Sequence, residues 1–202
     1  MKSLTICILL SSFISLAGYA QQPVSFYLKS ISIHGKTNVN SFHFSFDSTI
    51  THQVKLPDNP HNLEEKNDKV QFQIPVRAFR SGNQMMRNDF MKLLKATQYP
   101  NIRVDIEKDK LIDILRGMYL SDLNMDLTLA GESESVQSQY DIQYDSTDQL
   151  LLEGLTNINL NDFRLDPPQK MLGLVQVKNT ILIKFDIILS REKSHLSNEI
   201  QY

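Results

Sequence analysis

The chain has almost no cysteine and no clustered positive charge, and both absences exclude classes of protein. Its single cysteine, Cys7, lies inside an N-terminal apolar run with no lipobox around it. The sequence therefore supports neither a disulfide nor a lipid-modified N-terminus, and we expect neither. The formal net charge is −2, and lysine and arginine are not concentrated in any stretch. Because phosphate recognition needs such concentration, we expect no nucleic-acid partner.

Long apolar runs are also scarce. The run at residues 4–16 is shorter than the roughly 20 apolar residues that a membrane-spanning helix needs, and no second run follows it. Lys2 precedes the run, and Ala-Gly-Tyr-Ala follows it at residues 17–20, a pattern typical of a secretory signal peptide. We expect residues 1–20 to be cleaved after Ala20, giving a periplasmic or secreted protein without a transmembrane segment. A buried N-terminal helix is the alternative.

The motifs of common catalytic sites are missing as well. The sequence contains no glycine-rich phosphate loop, no His-x-x-x-His and no Gly-x-Ser-x-Gly. Its five histidines are scattered. A metal site built from His52, His61 and Glu64 or Glu65 is an alternative, although zinc ligands are usually more tightly paired. We therefore expect no enzyme activity, no cofactor and no metal.

Period-two alternation of apolar and polar residues dominates the rest of the chain, and it is typical of half-buried β-strands. Strands with one wet and one dry face usually form antiparallel sheets. Closure into a barrel would remove the exposed edges of such a sheet. We predict an all-β fold, an eight-stranded antiparallel barrel, with a sandwich as the alternative. The apolar positions that mark the eight strands lie at 31–33, 42–46, 70–76, 102–106, 123–129, 140–144, 158–160 and 181–187.

One short helix is predicted from about residue 83 to residue 95. Its apolar residues recur at helical spacing, and Ser81 or Asn83 can cap its start. A single helix cannot supply the crossovers of a parallel sheet, which again favours antiparallel strands. The apolar residues at helical spacing are Met86, Phe90, Leu93 and Leu94.

The mature chain is predicted to form one domain over residues 21–190. Residues 55–68 are rich in proline, asparagine and charge, which predicts an exposed loop. Residues 191–202 are polar and are predicted to form a disordered tail.

Four segments contain specific residue sequences in addition to the alternation of apolar and polar residues. Residues 33–42 turn through a glycine into an aromatic strand, and residues 76–102 run from a strand through the short helix to Tyr-Pro-Asn-Ile. Residues 127–131 read Leu-Thr-Leu-Ala-Gly, and residues 162–168 read Asp-Phe-Arg-Leu-Asp-Pro-Pro. In this order the segments resemble the YceI-like family of secreted lipid-binding, polyisoprenoid-binding proteins. The resemblance implies a lipocalin-like barrel that holds an isoprenoid or fatty-acyl lipid in an apolar tunnel.

In such a barrel the dry strand faces would line the tunnel, since eight strands leave room for one small ligand. Arg87 on the helix is a candidate for contacting a polar head group, with a solvated surface charge as the alternative. If the dry faces pack solidly instead, the protein is an interaction module without a lipid ligand. A homodimer is left open. The candidate lipid-binding residues are Phe42, Phe44, Phe72, Met86, Phe90, Met125, Leu127, Tyr140 and Phe185.

Overall fold

The structure is a computed structural model that describes residues 24–54, 68–118, 121–144, 149–170 and 174–191. Within these ranges the chain forms ten β-strands, two α-helices and two short 3₁₀ turns. The strands are β1 (Val24–Lys36), β2 (Ser41–Val54), β3 (Lys69–Pro75), β4 (Asn101–Glu107), β5 (Leu123–Leu129), β6 (Glu132–Tyr144), β7 (Gln149–Asn159), β8 (Gln169–Lys170), β9 (Val175–Gln176) and β10 (Thr180–Arg191). The helices are α1 (Gln84–Leu93) and α2 (Lys108–Leu115), and the 3₁₀ turns are Val76–Ala78 and Leu160–Phe163.

Eight strands form one sheet that curls into a nearly closed barrel. Their order is β2-β1-β10-β7-β6-β5-β4-β3, and all neighbours are antiparallel. The sheet ends meet at a seam between β2 and the segment after β3. There Ser45 N donates to Arg80 O at 3.0 Å, and Arg80 N donates to Ser45 O at 2.8 Å. The predicted eight-stranded antiparallel barrel is confirmed. β8 and β9 form a separate two-stranded ribbon.

A β-bulge in β1 changes which of its residues face inward. Leu28 pairs with Ile187 and Ser30 with Asp186 on β10, which leaves Lys29 as an extra residue. Before the bulge the even-numbered residues are the inward ones, and after it the odd-numbered residues are. The alternation of apolar and polar residues is therefore interrupted at the bulge, and a period of two does not continue across it. The predicted strand therefore covered only the part of β1 that follows the bulge.

The prediction of a single helix is wrong. α1 matches the predicted helix, and the Asn83 side chain caps it by accepting hydrogen bonds from two backbone N–H groups of the first turn. α2 is the second helix, and it buries Leu111, Ile112 and Ile114. It directly follows β4 without a turn, and a short apolar run of this kind cannot be separated from a strand by periodicity.

The two helices lie at opposite ends of the barrel. α1 connects the end of β3 to the start of β4, whereas α2 connects the end of β4 to β5. Around α2 the interior is solidly packed. Fully buried residues of this end include Phe26, Ile114, Leu123, Leu150 and Leu152. Burial of this kind contributes most of the stabilising free energy of a barrel, at about 25 cal/mol per Å² of apolar surface.

Three predicted segments lie wholly or largely outside the described residues. They are the signal peptide (1–20), the loop at 55–68 except for Asp68, and the tail at 191–202 except for Arg191, which ends β10. Asp68 accepts a hydrogen bond from the buried Lys108 at 2.8 Å, so it anchors the start of α2. Within the described ranges, the helices are too short or too polar to cross a bilayer.

Candidate functional site

One cavity occupies the barrel interior at the α1 end. Its volume is about 280 Å³, close to the lower limit of roughly 300 Å³ for ligand pockets. Inward residues of the strands form its walls, and α1 covers one side. Val104 and Ile183 point inward yet are only half-buried, because they face this open space. The β5 and β10 parts of the wall consist of Met125, Leu127, Leu129, Ile181, Ile183, Phe185 and Ile187.

Hydrocarbon makes up nearly all of the cavity wall. Among the residues that line it, the polar ones are Thr37, Asn83, Asp89 and Thr156. The Thr156 hydroxyl donates to the backbone oxygen of Gln137 at 2.7 Å, so its hydrogen-bonding capacity is used within the barrel. A space with few polar partners holds ordered water poorly and favours an apolar occupant.

Aromatic contacts fix α1 against the barrel. The ring of Phe90 stacks on Phe44 of β2 with centroids 4.3 Å apart, and it lies 5.4 Å from the ring of Phe79. Phe42 meets Phe44 edge to face at 5.9 Å. Such ring pairs contribute about 0.5–1.5 kcal/mol each beyond the area they bury. The helix is therefore a firmly held cover of the cavity.

The cavity opens to solvent beside the first turn of α1, and we call this opening the mouth. Met85 marks it, because this residue lines the cavity and is also 65% exposed. The turn at residues 37–40 and the β8–β9 ribbon form another part of the rim. Asn38 joins them: its Nδ2 donates to Leu174 O at 2.8 Å, and its Oδ1 accepts from Gln176 N at 3.1 Å.

Comparison with known proteins identifies the family. A family model described as the YceI-like domain matches residues 20–189. The chain belongs to the YceI-like family. No curated protein matches it.

Two solved structures share the fold of this YceI-like chain. One is a polyisoprenoid-binding domain from Saccharophagus degradans implicated in plant cell wall breakdown. It is 14% identical with a TM-score of 0.62, and the match covers 84% of this chain and 98% of that one. The other is BcnA from Burkholderia cenocepacia, which is 16% identical with a TM-score of 0.56, covering 80% and 96%.

Eight of the nine predicted lipid-binding residues of this YceI-like protein line the cavity. Tyr140 does not. It pairs with Gly154, which in turn pairs with Phe185, so all three share an inward row. Tyr140 packs half-buried against the core beyond the cavity. The eight lining residues are Phe42, Phe44, Phe72, Met86, Phe90, Met125, Leu127 and Phe185.

Arg87, the predicted head-group residue, is not among the residues that line the cavity. Its Nη2 donates to the backbone oxygen of Arg77 at 2.9 Å. Its Nε is buried and has no hydrogen-bond partner among the described residues. Arg87 thus ties α1 to the 3₁₀ turn after β3, and its guanidinium is directed to the protein backbone.

Several lining residues were missed by the sequence analysis. Phe79 follows a 3₁₀ turn, and Val175 and Val177 lie in or beside the β8–β9 ribbon, where alternation carries no information. Ile183 is different. It lies two residues before Phe185 on the same face of β10, so the period of the strand was enough to find it.

The described residues contain no cluster of three or more His, Cys, Asp or Glu side chains placed to hold a metal. His34 and His43 are cross-strand partners on β1 and β2, with ring centroids 6.3 Å apart. His52 lies in β2, while residues 61, 64 and 65 of the alternative metal site are outside the described ranges.

Proposed function

We propose that this YceI-like protein is an exported binding protein that holds a long-chain apolar lipid, of isoprenoid or fatty-acyl type, in the barrel cavity. The observation that carries the proposal is the hydrocarbon-lined cavity of about 280 Å³ that opens at the mouth. A chain that leaves water for this wall gains about 25 cal/mol for each Å² of apolar surface removed. The polyisoprenoid-binding activity of the Saccharophagus degradans domain supports the ligand class.

In the proposed function, the protein binds its ligand without catalysing a reaction on it and needs no cofactor or metal. Asp89 is the one ionisable side chain among the described residues that line the cavity. General acid-base or nucleophilic catalysis requires a base in hydrogen-bond reach of a second reacting group. A single rim carboxylate does not supply that pair.

The proposal of export depends on residues 1–20, whose sequence pattern is that of a signal peptide. The mature protein then begins at Gln21 and acts in the periplasm or outside the cell. Terminal sequencing of protein recovered from the producing cells tests this proposal. An intact Met1 on the folded protein would contradict it.

Extraction with organic solvent followed by mass spectrometry is the direct test of the lipid ligand. We expect the purified protein to yield a long-chain lipid, or to take up prenyl and fatty-acyl probes after delipidation. Protein that yields no lipid and binds neither probe would favour the alternative, a barrel that serves as an interaction module.

Variants on β5 locate the bound lipid. Leu127→Glu places an unpaired charge on the cavity wall. Burying such a charge beside an apolar chain is costly, so the affinity for the probe should fall by about tenfold or more. Asn124→Glu adds the same charge to an exposed position of the strand and should bind normally. Circular dichroism must show that sheet is retained. If Leu127→Glu does not fold, Ile183→Trp, which fills the cavity without a charge, should give the same loss.

A further inference from the structure

Exposed apolar side chains gather at the mouth. Five large hydrophobic residues are exposed in the described part of the chain. Val39, Met85 and Leu174, with 70%, 65% and 72% of their surfaces exposed, belong to the rim of the mouth. The other two, Met118 and Tyr144, lie at the α2 end. Exposed apolar side chains grouped around an opening indicate a contact surface.

Hydrogen bonds fix the backbone that carries two of these side chains, Val39 and Leu174. Val39 N donates to Thr37 Oγ1 at 3.2 Å, and Asn40 N donates to the same oxygen at 2.8 Å, which fixes the turn. Asn38 then fastens this turn to the backbone of Leu174, as described above. Val39 and Leu174 are therefore presented together on a braced rim, and we call them the apolar tips.

Positive charge accompanies the apolar tips. Lys36 and Lys178 are exposed, and Lys178 N donates to Lys36 O at 2.8 Å, so the two residues are neighbours at the base of the tips. With His34 and His43 they line a groove on the outer wall of the barrel. Within the described ranges, neither lysine has a carboxylate within 4.0 Å.

Acidic residues also lie at this end of the barrel, beyond salt-bridge distance of the two lysines. Glu132 starts β6, and its Oε1 accepts a hydrogen bond from Arg164 Nη1 at 3.3 Å within a salt bridge. Asp162 lies in the 3₁₀ turn after β7, and Asp166 follows that turn. Asp89 is half-buried at the mouth. The two lysines lie on the β1–β10 side beside the tips, and among the described residues no carboxylate forms a salt bridge with either of them.

We infer that the mouth docks on the surface of an anionic lipid bilayer. The apolar tips enter the interfacial layer, and Lys36 and Lys178 meet the phosphate groups. Shallow apolar insertion combined with basic side chains is the physical basis of interfacial binding. This inference rests on the proposed function, because a lipid that moves between a bilayer and the cavity through a docked mouth avoids exposure of its chain to water.

Tryptophan fluorescence can test the orientation, because the chain contains no tryptophan. Val39→Trp and Leu174→Trp each create a single reporter. Vesicles of phosphatidylglycerol and phosphatidylcholine should shift their emission to the blue, and vesicles of phosphatidylcholine alone should do so much less. Tyr144→Trp, at the α2 end, is the matched control and should not shift. A shift of equal size at position 144 would overturn the proposed orientation.

Vesicle sedimentation measures how much individual side chains contribute to vesicle binding. Val39→Asp should weaken binding to the anionic vesicles roughly tenfold, since it removes one apolar side chain that leaves water when the protein docks on the bilayer. Lys36→Gln and Lys178→Gln should each weaken it about fivefold, the effect of one basic residue near an anionic surface. Met118→Asp should leave it unchanged. Equal binding of wild type, Val39→Asp and Lys36→Gln would overturn the inference.

The docking inference and the lipid-binding proposal can be refuted separately. In vesicle-free solution, Val39→Asp should take up a prenyl probe as the wild type does, because residue 39 is not part of the cavity wall. Probe uptake without vesicle binding would refute the docking surface and leave the lipid-binding proposal standing. A blue shift that depends on protein concentration without vesicles, together with a dimer in ultracentrifugation, would assign the tips to a second copy and also refute it.

Discussion

The ring of Phe185 lies directly over the backbone of Gly154, its partner across β10 and β7. A β-carbon on residue 154 would come within 2.0 Å of Phe185 Cζ. Phe42 lies over Gly35 in the same way, where the corresponding distance is 2.1 Å. Two rings of the cavity wall thus rest on glycines, and the missing side chains let the rings lie flat and leave the space beside them open.

Gly154→Ala should therefore affect both stability and binding. The added methyl group forces Phe185 away from the wall, and overpacking of this kind costs about 1–3 kcal/mol. The displaced ring occupies cavity space, so affinity for long probes should fall. Urea unfolding and probe titration measure the two effects. Gly82→Ala is the control, because no atom lies within 4 Å of its added methyl group. Unchanged stability and affinity in Gly154→Ala would contradict the predicted contact.

Truncations at the two ends of the barrel should differ in cost. Leu150 is fully buried at the packed end, so Leu150→Ala should lower the free energy of unfolding by about 2–5 kcal/mol. Ile183 borders the cavity, and Ile183→Ala should cost no more than about 2 kcal/mol, since one side of this residue has few contacts to lose. Chemical denaturation compares the two variants. Equal losses would mean that the cavity is filled by protein atoms in solution.

Affinity should rise with ligand chain length and then level off. Each methylene that enters the cavity contributes about 0.8 kcal/mol, which corresponds to about a fourfold gain in affinity. The gain should stop when the chain fills the cavity of about 280 Å³. Titration with saturated fatty acids and prenyl alcohols of increasing length locates the limit. Affinity that is independent of length would place the binding site on the surface.

Arg87→Gln should leave head-group preference unchanged. The guanidinium donates to the backbone of Arg77, so its loss should lower stability by about 0.5–1.5 kcal/mol, the net value of one hydrogen bond. The affinity ratio between a prenyl phosphate and its prenyl alcohol should stay the same. A selective loss of affinity for the phosphate would restore Arg87 as the head-group residue.

Alternation in the sequence was sufficient to predict part of each of the eight barrel strands and the apolar face of each. Met125 and Leu127 are found by it because a strand places every second residue on one face, and that face is buried. Alternation identifies the face of a residue and not its depth along the barrel axis. Tyr140, like Leu127, alternates with polar neighbours on its strand and faces inward, yet it lies beyond the cavity.

Features that depend on distant parts of the chain could not be read from alternation. The space around Phe185 depends on the glycine at position 154, thirty-one residues earlier in the chain. The rim depends on Asn38 bonding to residues of the β8–β9 ribbon, whose strands are too short to show a period. The extra residue Lys29 shifts the pattern inside β1. In each case, pairing between distant segments determines the geometry.

The seam at Ser45 and Arg80 is the boundary of the barrel wall with the fewest backbone hydrogen bonds among the described residues. Among the described residues, the backbone hydrogen bonds that cross it are the two between these residues, and Phe46 and Phe79 add a ring contact at 5.7 Å. Every other strand boundary of the sheet carries a ladder of four or more residue pairs, although a bulge interrupts the two ladders of β1. We expect the wall to part most readily along this line, so that a ligand of greater girth is accommodated at the seam while the seven ladders keep their register.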